Sequence, residues 1–246
     1  MKTKLIYSVI AAAVIMAMSG CTQESVVNSD TPTVMNASIH VSDQAFQSVD
    51  GTTRATNSGV STTFVDGDAI GIFIVKNGAA SVTNEKYTYH NGAWYKSTGS
   101  ATISYDADAK YFAYYPYQAD MTNKYTLAAT TSADDFFAGL ISGWTLTKDF
   151  TGTNYDAQDL MVSMGTASKP SDNTVEYSFT MNHKMALVEF QYPQTVVTDP
   201  NDATYSRATY TWLDDYKPYN LKNGCYRILV KPLTDYSFRG KEYESC

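Results

Sequence analysis

The sequence predicts an all-β protein in which antiparallel strands pack as a β-sandwich. Tyrosine occurs 20 times in the 246 residues and leucine only ten times, a ratio that favours sheet over helix bundles. Apolar runs of strand length recur along the chain with turn signals between them. The runs do not alternate regularly with helical patterns, so parallel βαβ units are not expected.

The first predicted strands lie on either side of a polar tether. Residues 22–60 hold few large apolar side chains, apart from a short predicted strand at 34–41. Asp66-Gly67 then predicts a turn, and the nearly continuous apolar run Ala69–Val75 follows it. A run of this kind predicts a strand that is buried on both faces.

Two hairpins are expected next. Asn91-Gly92 is a strong two-residue hairpin signal, and it would pair His90 with Ala93 and Tyr89 with Trp94. A turn at 106–109 should join strands at 101–105 and 111–117, with Pro116 at a strand end or a sheet edge.

Residues 131–148 form the one stretch of the sequence that suggests a helix. Ser132 and Asp135 have the spacing of a capping box, and two phenylalanines follow them.

Clear alternation of apolar and polar residues predicts the later strands. One inward row comprises Val175, Tyr177, Phe179 and Met181, and the next comprises Ala186, Val188, Phe190 and Tyr192. Further strands are expected at 209–213 and 226–230.

The first 21 residues have the features of a lipoprotein signal peptide. Two lysines precede an apolar run, and Ser19 and Gly20 come directly before Cys21. Signal peptidase II would cut between Gly20 and Cys21, and Cys21 would carry the acyl chains, such as palmitate, that hold the protein on a membrane. Export permits disulfides. Cys225 and Cys246 could pair, although the last residue is a poor place for a structural bridge.

Charge and motifs narrow the classes of function. The net charge of −7 becomes −9 without the two lysines of residues 1–20, which argues against nucleic-acid binding. His40, His90 and His183 lack a second ligand at metal-binding spacing, and His183 is expected to be a half-buried structural residue at a strand end. No calcium-loop, nucleotide-binding or hydrolase motif occurs, so neither cofactor nor enzymatic activity is expected.

Several short motifs, in their order, resemble the fimbrillin family of type V pilins and related lipoproteins of Gram-negative bacteria. They are the Ser19-Gly20-Cys21 ending of the signal peptide, which resembles a bacterial lipobox, followed by TRAT, FVDGDAIGIF, YFAYYPY, QDLMVS at 158–163, and FTMNHKMALVEF. The resemblance implies transthyretin-like β-sandwich domains of Greek-key-type antiparallel strands. It also implies anchoring to the outer membrane, assembly with other pilus subunits into surface fimbriae, and a contribution to adhesion.

The resemblance also assigns a role to Arg54. In fimbrillins an arginine-specific protease cuts between the lipidated cysteine and the sandwich, and by position the cut here would fall between Arg54 and Ala55. The leader would leave with the first strand, and a strand of a neighbouring subunit would fill the groove by β-strand addition. Small polar residues at 51–59 independently suggest an accessible backbone. The alternative is that Arg54 is merely a solvated charge in a tether.

The expected organisation has four parts. They are a signal peptide at 1–20, a lipidated leader and tether at 21–60, a β-sandwich domain at 61–195, and a linker with a reduced or truncated β segment at 196–246. Family members commonly have a full second sandwich, and the short remainder here leaves two alternatives open: a tip, anchor or accessory subunit that does not polymerise, or a non-functional fragment.

A second hypothesis is a surface lipoprotein that binds glycans. Trp94, Tyr95, Trp144 and Trp212 would supply an aromatic platform for sugar rings. Trp94 and Tyr95 lie on opposite faces of one predicted strand, so only one of them can face outward. Under the first, fimbrial hypothesis, host or bacterial surface molecules are further candidate partners beside the other pilus subunits.

Overall fold

The computed structural model describes residues 36–46, 61–96, 105–191, 196–199, 202–208, 216–222 and 224–232, and this part of the chain is mostly β-strand. The strands are β1 (Asn36–Asp43), β2 (Ala69–Lys76), β3 (Ala79–His90), β4 (Ala93–Lys96), β5 (Lys110–Tyr115), β6 (Met161–Ser171), β7 (Thr174–His183), β8 (Ala186–Gln191), β9 (Val196–Asp199), β10 (Asp202–Ala208), β11 (Tyr219–Lys222) and β12 (Cys225–Val230). The helices are α1 (Ala133–Phe136) and α2 (Ala138–Gly143), and 3-10 turns follow at Gly152–Asn154 and Asp156–Gln158. The all-β prediction is confirmed.

Seven strands form one large sheet in the order β1-β7-β6-β5-β2-β3-β4. Every neighbouring pair is antiparallel except β1 and β7, which run parallel. The outermost strands of this order, β1 and β4, contact each other, so the sheet curls back on itself.

The curled sheet encloses one apolar core and carries a second core on its outer face. Strand β2 serves both: Ile70, Ile72 and Ile74 face the interior, and Phe73 and Val75 face outward. All five side chains are buried, which confirms the prediction of a strand buried on both faces. The predicted inward row of β7 is likewise buried and belongs to the interior core.

Helices and a three-stranded sheet cover the outer core. The predicted helix is two short helices instead, because the chain turns at Phe137, where the backbone leaves the helical region. Ser132 caps α1: its side chain accepts a hydrogen bond from the Asp135 N–H and donates to the Asp135 carboxylate, so one of the two bonds of the predicted capping box is present. Phe136 stacks on Phe112 of β5 with ring centroids 4.0 Å apart, which fixes α1 against the sheet.

The hairpin predicted at Asn91-Gly92 and the strand end predicted at Pro116 are both observed. Asn91 and Gly92 adopt positive φ angles, and Tyr89 pairs with Trp94 as expected. Strand β5 ends at Tyr115, directly before Pro116. The other arm of that hairpin, at 101–105, lies almost entirely outside the described residues, and so does the strand expected at 209–213.

The three-stranded sheet crosses the expected domain boundary. Its order is β11-β12-β8. Strand β8 pairs antiparallel with β12, so that Ala186 lies opposite Val230 and Gln191 opposite Cys225. The strand predicted at 226–230 is therefore present, and its side chains Ile228 and Leu229 belong to the outer core. The division into domains at residue 195 stays a prediction, although this strand pairing spans it. Within the described residues, no helix is long and apolar enough to cross a bilayer.

Candidate functional site

The candidate site is the seat of β1 at the edge of the large sheet. The predicted strand at 34–41 is observed two residues further along, at Asn36–Asp43. It pairs with β7 without a break in register, so that Asn36 lies opposite Thr174 and Asp43 opposite Met181. Because side chains alternate along a strand, Ile39, Val41 and Asp43 point to the interior, whereas His40 is exposed.

A buried histidine between two carboxylates lies at the end of this strand. The inward row of β7 ends at His183, whose Nδ1 lies 2.8 Å from Oδ1 of Asp159, just before β6. Its Nε2 lies 2.8 Å from Oδ1 of Asp43 in an ion pair that is not aligned as a straight hydrogen bond. The side chains of His183 and Asp43 are each 3% exposed, so water screens this ion pair very little.

Residues on both sides of segment 47–60 converge on the same carboxylate. The N–H of Thr62 donates to Oδ2 of Asp43 at 2.6 Å, and the N–H of Ala45 donates to Oδ1 at 3.0 Å. Phe46 stacks on the His183 ring with centroids 3.7 Å apart. We call Asp43, His183, Asp159 and Thr62 the clasp, because they join β1 to three other parts of the chain.

Electrostatics favours the charged forms of His183 and Asp43. Burial alone would lower the pKa of His183, but the hydrogen bonds and charges of Asp159 and Asp43 outweigh burial and raise it to about 9. Burial pushes the pKa of Asp43 upward, yet His183 and the backbone N–H groups of Thr62 and Ala45 together lower it below its usual value. Asp159 is fully buried, and burial raises its pKa despite the contact with His183.

A cleft follows the seam where the sheet closes on itself. It has a volume of about 300 Å³ and lies between β1 with β7 on one side and the β3–β4 hairpin on the other. Ile39, Phe179 and Trp94 line its apolar part. Removing β1 would therefore join this cleft to the interior core.

The predicted sites of lipidation and of proteolytic cleavage all lie outside the described residues. These are Gly20, Cys21, Arg54 and Ala55. Cys225, at the start of β12, is disulfide-bonded. Cys21 and Cys246 also lie outside the described residues, so the pairing of Cys225 with Cys246 stays a prediction.

The aromatic residues of the second hypothesis do not form one platform. Trp94 and Trp144 are buried, and the Trp144 indole N–H donates to the backbone oxygen of Gln158. Tyr95 is exposed on the opposite face of β4 from Trp94, as predicted, and Trp212 lies outside the described residues. Among the described members of the set, only Tyr95 is exposed at the surface.

Comparison with known proteins decides the family. The model of a family described as fimbrillin-like matches residues 53–234. The chain belongs to the fimbrillin-like family. The resemblance in the sequence motifs is thereby confirmed, and the family is one of fimbrial subunits rather than of enzymes.

Two relatives of this fimbrillin-like chain come from Bacteroides ovatus. One is named "Putative fimbrium tip subunit Fim1C", and the chain is 32% identical to it over 258 aligned residues that cover 94% of this chain and 46% of that protein. The other is a crystal structure of a fimbrial protein, with a TM-score of 0.61 and 30% identity over 80% of this chain and 42% of that one. The chain thus spans less than half the length of each relative.

Sequence reasoning missed the partners of His183. It placed the residue at a strand end, which is where β7 ends, but it did not bring Asp43 or Asp159 to it. One signal was available, because Asp43 occupies the inward position after Ile39 and Val41, where a third apolar residue would be expected. Within the described residues, no cluster of potential ligands is placed to hold a metal ion.

Proposed function

We propose that this chain is a subunit of surface fimbriae that is exported as a lipoprotein, anchored to the outer membrane through Cys21, and released for assembly by a cut after Arg54. The family match and the fimbrial relatives support the subunit role. The observation that carries the rest is the position of β1, which is the outermost strand of the large sheet on the β7 side and forms with β7 the one parallel pairing among the described strands of that sheet.

The cut would act on the segment that links β1 to the remaining sheet. Described strands β2 to β12 all follow Arg54, and β1 precedes it. The family match begins at residue 53, so β1 lies before the matched region. Cutting after Arg54 would therefore separate β1 from the body of the domain without interrupting any other described strand.

Loss of β1 would expose a site that favours refilling. The edge of β7 would lose its backbone partners and would present a row of unpaired N–H and C=O groups, a template for pairing with another strand. The seat of Ile39 would open onto the interior core, and full burial of such a side chain contributes about 1.5–3 kcal/mol. An extended strand from a neighbouring subunit would restore both terms by β-strand addition. Adhesion would follow from the fibre and whatever subunit it displays.

The test compares the wild-type chain with Arg54→Ala in cells that assemble fimbriae, and Arg207→Ala in β10 serves as the matched control. N-terminal sequencing of assembled subunits should find Ala55 in the wild type and in the control. Arg54→Ala should remain lipidated at Cys21 and should not enter fibres, as judged by mass photometry of the surface fraction. Wild-type fibres whose subunits all begin at Cys21 would overturn the cleavage step.

A further inference from the structure

We propose that the seat of β1 selects an incoming strand by charge: the strand must carry a carboxylate at the Asp43 position, two residues after a pair of alternating apolar side chains. This inference rests on the proposed function, in which another strand replaces β1, and it names the chemistry of that partner. The partner would read apolar-x-apolar-x-Asp along its length and would run parallel to β7.

The apolar part of this pattern follows from register. Ile39 lies opposite Tyr177 and Val41 opposite Phe179, and both partners are buried members of the interior core. The next inward position, opposite Met181, is occupied by Asp43. A strand with three alternating apolar residues would fit the first two seats and would place an apolar side chain against the buried His183.

The body of the domain keeps the groups that recognise the carboxylate. His183, Thr62 and Asp159 all follow Arg54 in the sequence, so a cut there would remove Asp43 and leave these three in place. Nε2 of His183 faces Oδ1 of Asp43, and the N–H of Thr62 donates to Oδ2. A cut would therefore take away the carboxylate that both groups contact while β1 is seated, when the imidazole is 3% exposed.

A charged imidazole beside one oxygen and an N–H donor on the other favour a carboxylate over an amide. A carboxylate accepts at both oxygens, whereas an Asn side chain presents one oxygen and one NH₂ group. An Asn at this position would therefore turn its NH₂ toward His183 or toward the N–H of Thr62. The carboxylate also balances the imidazolium that Asp159 helps to maintain, and hydrogen bonds with charged partners are stronger than neutral ones. Length discriminates as well, because a Glu side chain would push its carboxylate past Nε2.

The experiment uses the full chain with a recognition site for a sequence-specific protease placed between residues 47 and 60. After cleavage in vitro, the nicked protein is challenged with fluorescent peptides that carry residues 36–46, NASIHVSDQAF. Fluorescence anisotropy measures how far each peptide enters the seat against the resident leader. The matched peptides replace the residue at position 43 by Asn, Ala or Glu, and the control peptide changes the outward His40 to Gln.

The native and His40→Gln peptides should exchange equally well, and the Asn and Ala peptides should bind at least about tenfold more weakly. Glu should fall between Asp and Asn. The preference for Asp should also shrink in a His183→Gln protein, and if that variant does not fold, the peptide series on the wild-type protein still decides. Equal binding of the Asp and Asn peptides would overturn the charge selection while leaving strand exchange intact. Failure of every peptide, the native one included, would instead contradict the replacement of β1 and with it the proposed assembly.

Discussion

The centre and the edge of the large sheet are held together by different forces. In the centre, the side chains of β2 from Ile70 to Val75 are all apolar and buried, and antiparallel strands pair with β2 on both sides. At the edge, β1 pairs with β7 alone among the described strands, has one buried apolar side chain in Ile39, and carries a buried ion pair between Asp43 and His183. The centre is therefore held by apolar packing on both faces, whereas a few polar contacts fix the edge strand.

This difference separates two kinds of opening. Apolar packing spread over many strands is lost only when the whole unit unfolds, but a strand with one neighbour can detach while the rest stays folded. A buried ion pair adds specificity more than net stability, because desolvating the charges offsets much of their attraction. We infer that β1 can leave at a free energy well below that of global unfolding, as the proposed function requires.

The largest effect is expected from a change in the centre. Phe112 is fully buried between β2 and β6 and stacks on Phe136, so Phe112→Ala should lower the free energy of unfolding by about 3–5 kcal/mol. Urea denaturation followed by tryptophan fluorescence measures this change. Tyr95→Ala, at an exposed position of the same sheet, should change the free energy by no more than about 0.5 kcal/mol. Similar losses for the two variants would mean that the centre is not the main source of stability.

A change at the edge should have a smaller and local effect. Asp43→Asn keeps the shape of the side chain but loses the ion pair with His183 and one of the two acceptor oxygens. Local opening of β1 should become easier by about 1.5–3 kcal/mol, the usual range for a hydrogen bond to a charged group. Hydrogen exchange of the β1 amides should accelerate about 10–100-fold, while the β2 amides keep their protection.

The outward neighbour His40 supplies the control for this variant. It is exposed on the same strand, so His40→Gln should leave the exchange of β1 and β2 unchanged. If Asp43→Asn accelerated exchange in β2 as much as in β1, then β1 would open only with the whole domain, and the contrast between centre and edge would be wrong.

The same contrast explains what the sequence could predict. Alternation in β7 and the continuous apolar run of β2 record burial at each position, and the Asn91-Gly92 turn depends on its own two residues, so these features can be predicted from local patterns. The pairing of β1 with β7 joins residues that lie 138 positions apart in the chain. Nothing within β1 itself specifies that partner or its parallel direction.

The clasp and the three-stranded sheet could not be predicted from the sequence for the same reason. Asp159 and His183 are separated in sequence from Asp43 by most of the large sheet, and only the closed fold brings the three together. Strand β8 is present where alternation predicted it, although Leu187 and Val188 both pack against the outer core and Tyr192 lies outside the described residues, and its local pattern does not indicate that it pairs with β12 outside the large sheet. Local chemistry therefore predicted strands and turns, whereas the candidate site depends on long-range topology.

The smallest of the three effects should come from pH, because deprotonation removes the charge of His183 and leaves the ring in place. The pKa of His183 is raised to about 9, so its contribution is fully present below its ordinary value near 6.5 and is lost as pH rises through about 9. The pKa of Asp43 is lowered, so its contribution is present above the usual 3.8 and is lost as pH falls below that value. Asp159 has a raised pKa and acts in the opposite sense, since its ionisation weakens the folded state as pH rises above 3.8.

Asp43 and Asp159 are the charged groups that contact His183, so detachment of β1 between pH 6.5 and 10 should report chiefly on the imidazole. Methyl NMR of Ile39 should show the detached population growing as pH passes about 9, while the methyl signal of Ile72 in β2 stays constant as the internal reference. In Asp43→Asn the transition should move down toward the ordinary pKa of histidine, because one of the two groups that raise it has been neutralised. An Ile39 signal that is independent of pH across this range would show that the charge of His183 does not hold the edge strand, and the contrast with the apolar centre would then rest on packing alone.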